Sequence, residues 1–91
     1  MMVSHDADAL ISEYIEPNPQ HPDPSNVRLR GYGFSVWALI GYLPLFNGDT
    51  AALADEFGIP VEAVEAAVAY YQQHQSEIDA RLARNSTIAA A

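Results

Sequence analysis

Any reactive site in this 91-residue chain would have to be assembled from three histidines, twelve carboxylates and a few hydroxyls. His5 stands near the N-terminus, His21 in a proline-dense stretch and His74 in a helical stretch. None is at ligand spacing from a second histidine, so the imidazole pair of a zinc site is missing. His74 with Glu77 and Asp79 offers weak cation binding at most, because i, i+3 pairs on an exposed helix are ordinarily solvated. His21 beside Asp23 reads the same way. Ser35, Ser76 and Ser86 have no attendant histidine and aspartate to make a nucleophile, and no glycine-rich phosphate loop is present. Asp55 and Glu56 are adjacent and point to different sides of a helix. There is no cysteine, hence no thiolate site and no disulfide framework. The expectation is a protein that is not an enzyme and takes neither metal nor cofactor.

The elements around these groups centre on Asp49 to Tyr71, which reads as helix, tight turn, helix. Asp49 or Thr50 supplies a capping oxygen for the first helix. Leu53, Ala54 and Phe57 then share one face. Gly58 falls where a left-handed residue closes a helix, and Pro60 pre-sets the next one. Glu62 and Glu65 load the early turns of that second helix, favourably for its dipole. The small Ala54 allows a close crossing. This is the pattern of a helix-turn-helix unit.

Charge separates that pattern from its usual job. From Asp49 to Asp79 every charged side chain is acidic: Asp49, Asp55, Glu56, Glu62, Glu65, Glu77 and Asp79. A helix that enters a DNA groove carries cations toward phosphates, whereas this one places Glu62 and Glu65 where base contacts are made. The unit is therefore expected to serve as a packing motif. The chain as a whole has a net charge of −8, with four arginines and no lysine. That balance disfavours nucleic acid and anionic membrane, and it speeds encounter with a basic protein.

One domain fits this length, with residues 1–9 loosely structured or in a weak helical turn, 10–84 forming the domain and 85–91 a mobile tail. Much of the apolar content is alanine, which gives a thin core of the kind often completed by a partner or a second copy. No apolar run is long enough to span a membrane, and the acidic N-terminus is unlike a signal peptide. A cytoplasmic protein is the expectation.

In chain order, Leu10 to Ile15 alternates as a short strand, and Val27 to Arg30 alternates again. The intervening Pro17–Asn26 stretch has four prolines and no regular structure. A two-stranded ribbon follows, with Gly31-Tyr32-Gly33 as a turn, and its free edge invites pairing with a second subunit. Ser35 caps a helix from Val36 to about Leu43, with Val36, Leu39, Ile40 and Leu43 on one stripe and Trp37 beside it. Pro44 ends or kinks that helix. Leu45 and Phe46 are expected under the turn at Asn47-Gly48. The last helix is expected to outrun the core, because Val61, Val64, Val68, Tyr71, Ile78 and Leu82 make a heptad seam, with the polar Gln75 in its one missing place. Ile78 and Leu82 then need a partner surface.

The order Arg30-Gly31, a helix from Val36-Trp37, Leu53-Ala54-Asp55-Glu56-Phe57-Gly58-Ile59, and Val64 through Tyr70-Tyr71 to Ile78-Asp79 resembles the bacterial family called domain of unknown function 433. The resemblance covers about Tyr14 to Leu82 and implies a mainly α fold. That fold is a three-helix, homeodomain-like helix-turn-helix core with a short N-terminal β-ribbon and an extended C-terminal helix. Two departures stand out. The family's Arg-Ile-Pro type sequence is replaced by Gly33-Phe34-Ser35, and its glycine-rich connection by the longer proline-rich loop.

The resemblance also implies a role as an antitoxin that inhibits a PIN-like ribonuclease encoded nearby. The inhibiting segment would be the C-terminal helix, with Gln75, Ile78 and Leu82 at the contact. Arg81 and Arg84 would be available to pair the nuclease's metal-holding carboxylates. Taken individually, each arginine also suits the helix C-terminus or a salt bridge to Glu77. Two further readings stay open: a dimeric regulator that reaches operator DNA or a second subunit through Arg28 and Arg30, and a dimeric scaffold module.

Overall fold

In the computed structural model, backbone is described for residues 3–90 and side chains for residues 7–85. The first element, α1, is a helix over Val3–Tyr14. This corrects the strand expected from Leu10, and of the two N-terminal readings it follows the helical one. Ala7, Leu10, Ile11 and Tyr14 are part-buried at helical spacing, and three of them, Leu10, Ile11 and Tyr14, pack on the core. Expectations for Met1, Met2 and Ala91 lie outside the described residues.

Strand β1 is only Ile15–Glu16, and it pairs antiparallel with β2, Arg28–Leu29, in the register Ile15 to Leu29 and Glu16 to Arg28. The ribbon therefore exists but is shorter than the alternation suggested. Its proline-rich connection holds a 3₁₀ turn at Pro24–Asn26, capped by Asp23. The Gly31-Tyr32-Gly33 turn brings Phe34 back so that its carbonyl accepts from Leu29 N at 2.8 Å.

Helix α2 spans Val36–Tyr42 and passes at Pro44 into a 3₁₀ turn, Leu43–Phe46. Ser35 holds the N-cap position without a side-chain capping bond. Helix α3, Thr50–Phe57, is capped by Asp49, whose carboxylate accepts from Ala52 N at 3.1 Å. It closes at Gly58 with φ 67°, the left-handed region where a side chain is strained. Helix α4, Val61–Gln73, follows directly after Pro60.

The last helix is not continuous along the expected seam. It breaks at His74, with φ −130° and ψ 40°, and a separate α5 runs over Gln75–Ala90. The break turns the chain back over α2 and the Pro24–Asn26 turn. Ile78 is 0% exposed, so it belongs to the core and not to an unpartnered seam. The side chains of residues 86–91 are outside the described set.

The core forms around α4, which touches α1, α2, α3, α5 and β1. Its buried residues, Ala63, Val64, Ala66, Ala67 and Tyr70, cover a broad arc, and small alanines let the neighbouring helices approach. Leu29, Leu39, Leu53, Val36 and Ile78 supply the bulk. The molecule is mainly helical with one small two-stranded sheet.

Candidate protein-docking face

Between Val36 and Phe46 the sequence has no charged side chain. A helix that is apolar all round belongs in a core. Here α2 buries only Val36, Leu39 and Ile40. Its other side, together with the following 3₁₀ turn, faces outward. Leu45 is 75% exposed and Tyr42 is 47% exposed, so Leu45 does not tuck under the Asn47-Gly48 turn as expected. Phe46 is part-buried against the core.

Helix α5 completes this face. Its Leu82 closes a groove of 280 Å³ with Trp37, Ala38, Gly41, Tyr42 and Leu45. The Arg81 guanidinium lies 5.4 Å from the centre of the Trp37 ring, a cation–π contact that covers one edge of the groove. Arg84 is exposed further along α5. On the opposite side Tyr42 meets Phe57 of α3 at 5.5 Å, and Phe57 meets Phe34 edge-on at 5.1 Å. A second groove, 320 Å³, lies behind the 3₁₀ turn between Ile40, Leu43, Pro44, Val68 and Tyr71. A third groove, 390 Å³, lies between α1 and α4, walled by Ala9, Leu10, Glu13 and Glu65. The charged side chains among these, Glu13 and Glu65, are both acceptors.

Arg28 and Arg30 are committed within the chain. Arg28 Nε donates to Glu16 at 2.8 Å. Arg30 N donates to Tyr14 O at 2.6 Å, and its guanidinium donates to the carbonyls of Glu13 at 3.2 Å, Ser12 at 3.3 Å and Ile15 at 3.0 Å. Arg30 thus satisfies the open carbonyl end of α1. These bonds engage within the chain the two arginines expected to reach DNA or a second subunit, though both side chains keep exposed surface. The exposed side of α4 carries Glu62, Glu65, Gln72 and Gln73, while α1 covers another side.

Of the five C-terminal residues expected at a partner contact, the structure brings Arg81 and Leu82 to the apolar face. Arg84 is exposed further along α5, and Gln75 donates to the Tyr71 hydroxyl at 3.3 Å. Ile78 is withdrawn into the core. Trp37, Tyr42 and Leu45 were not singled out by the sequence reading. The uncharged run around them was the available signal, being more apolar than one buried stripe requires.

Titratable groups near the bend support the packing. Ser25 donates to Asp23 through its backbone at 2.9 Å and its hydroxyl at 3.0 Å, and these bonds hold the Asp23 carboxyl below its usual range. Arg81 and Arg84 add a smaller pull in the same direction. Burial, more than the nearby carboxylates, raises the Tyr70 phenol. Its hydroxyl donates to Pro24 O at 2.7 Å, tying α4 to the proline-rich loop. Donation to Asp79 at 2.8 Å raises Tyr71.

Among the described residues no group of three His, Cys, Asp or Glu side chains is placed to hold a metal ion. Nor is any helix among them long and apolar enough to cross a membrane. No family model, curated protein or solved structure matches the chain.

Proposed function

We propose that this chain is a non-enzymatic, antitoxin-like protein that binds and inhibits a PIN-like ribonuclease. The face formed by α2, the 3₁₀ turn and α5 is its docking surface. The observation that carries this reading is Leu45, 75% exposed beside an apolar groove in an otherwise acidic molecule. Exposed apolar patches rimmed by polar groups mark protein contacts, and central aromatic anchors carry their energy. A nuclease presents cations to RNA phosphates, so a chain of net charge −8 is steered toward it. Arg84, with Arg81 behind it, then meets the carboxylates that hold the nuclease's metal.

In this reading α2, α3 and α4 form the homeodomain-like trio and act as a scaffold. Operator binding has little support, because Arg28 and Arg30 are engaged with Glu16 and the end of α1.

Co-expression with the protein encoded beside it, read by co-purification and RNA cleavage, tests the proposal. The intact chain is expected to retain and inhibit that protein, Leu45→Asp to lose retention, and Arg84→Ala to bind while inhibiting less. Retention of upstream DNA in place of the neighbour would favour the regulator reading and overturn this one.

A further inference from the structure

We infer that His74 is a pH-sensitive clasp: its protonated imidazole holds the bend between α4 and α5 closed, and loss of the proton loosens α5 from α2. The inference rests on the docking reading and adds its regulation, because Arg81 and Leu82 reach Trp37 only while α5 is folded back. His74 belongs to both helices. Its N–H donates to the carbonyls of Tyr70 at 3.0 Å and Tyr71 at 3.1 Å, closing α4, and its own carbonyl accepts from Ile78 N at 3.1 Å, opening α5. Between these bonds the backbone leaves helical geometry without the proline or glycine that ordinarily breaks a helix. Val61, Val64, Val68 and Tyr71 meanwhile continue into Ile78 and Leu82 at the spacing of one straight helix, so the bend competes with a continuous alternative.

The side chain of His74 supplies the bias. Its ring stacks on Tyr70, with centroids 4.2 Å apart and planes 19° from parallel, and its Nδ1 lies 3.9 Å from Glu77 Oε1 across the bend. The side chain is 34% exposed, so it exchanges protons with solvent. Imidazole is the side chain that ordinarily changes charge between about pH 5 and 8. Once protonated, it gains a cation–π contact with the Tyr70 face and an ion pair with Glu77. The carbonyl end of α4 favours that cation while the amide end of α5 opposes it, so the two helix ends offset. Other groups reach the bend from each neighbouring element. Helix α4 also brings Tyr71, whose hydroxyl donates to Asp79 of α5 at 2.8 Å. The Pro24–Asn26 turn brings Asp23, which adds to burial and Glu77 in raising the Tyr70 phenol. Helix α1 brings Asp8, which accepts from Gln73 at 3.3 Å. Against these carboxylates stand Arg81, over Trp37, and Arg84, both acting on Asp23. Carboxylates outnumber cations here, so a positive charge on His74 steadies the bend.

Amide hydrogen exchange of the full chain alone, at about pH 5.5 and about pH 8, tests this once rates are corrected for intrinsic pH dependence. Circular dichroism confirms that each variant is folded. Opening of α5, read at the amides of Ile78 and Leu82, is expected to be about threefold more frequent at the higher pH, the size of one ring contact or helix-end charge. His74→Gln is expected to abolish that difference and Glu77→Gln to reduce it. His5 and His21 remain in both variants, so any response of theirs persists. A wild type with no pH response, one of opposite sign, or one that survives in His74→Gln would overturn the inference. A response undiminished in Glu77→Gln would overturn the pairing across the bend. Because no partner is present, failure here leaves the docking reading untouched, and loss of partner binding with the pH response intact overturns docking alone.

Discussion

A Cβ placed on Gly41 would stand 3.0 Å from the Cδ2 methyl of Leu82. The two helices therefore cross at a point where α2 offers no side chain, and α5 can lie down against it. That crossing decides what the C-terminal third of the chain is for. It sinks Ile78, lays Arg81 on Trp37 and makes Leu82 one wall of an outward groove.

If α5 folds back in this way, Ile78→Ala empties a fully buried site and should cost about 2–5 kcal/mol of stability. Urea unfolding monitored by circular dichroism gives the value. A cost under about 0.5 kcal/mol, typical of a surface position, would mean that the helix projects into solvent.

Arg30→Ala leaves the carbonyl end of α1 without its donors and should cost about 1 kcal/mol, reduced by the exposure of this side chain. Hydrogen exchange should accelerate in α1 first. Arg30→Lys should recover little, since a single ammonium does not reproduce a planar fork that reaches three carbonyls. Unchanged exchange in α1 would remove Arg30 from this role.

Tyr70 binds its proton more tightly in the folded chain than in the unfolded one. Its contribution is therefore complete below its ordinary pKa of 10.0 and is lost as pH rises through the higher folded value. Tyr71 and Tyr14 are raised too and act in the same window. Stability should fall above about pH 10. Tyr70→Phe should cost about 1 kcal/mol at neutral pH through the lost bond to Pro24, and it should flatten the alkaline slope. An alkaline slope identical to that of the wild type would contradict the assignment.

Asp23 has the opposite sign. Its carboxyl is held below the ordinary value of 3.8, so its contribution is present above that pH and disappears as pH falls through the folded value. Asp23→Asn should weaken the acid dependence of stability below about pH 4. Thermal melts across that range provide the check.

Local chemistry made part of this fold readable. Asp49, Gly58 and Pro60 each act on the residues next to them, and α3, its turn and the start of α4 fall where those residues put them. Helix α1 was hidden because Leu10 to Ile15 satisfies a two-residue alternation, while the stripe Ala7, Leu10, Ile11, Tyr14 shows only against α4. The break at His74 has no proline or glycine to announce it. Tertiary contacts hold it, with the His74 ring stacked 4.2 Å from Tyr70, whose hydroxyl is fixed on Pro24. A heptad with only the polar Gln75 out of pattern therefore looked like one long helix. The docking face was half legible: Arg81 and Leu82 stood out on their own helix, but Trp37, Tyr42 and Leu45 join them only through that bend.

Trp37 is the sole tryptophan, and it lines the groove that the account assigns to a partner. The most direct measurement is fluorine NMR of chain labelled with fluorotryptophan, titrated with the unlabelled protein encoded beside it, the nuclease of the proposal. The account predicts a saturable shift of the single resonance that Leu45→Asp abolishes without altering the free spectrum. A complex that forms by an independent readout while the Trp37 resonance stays in place would contradict docking on this face.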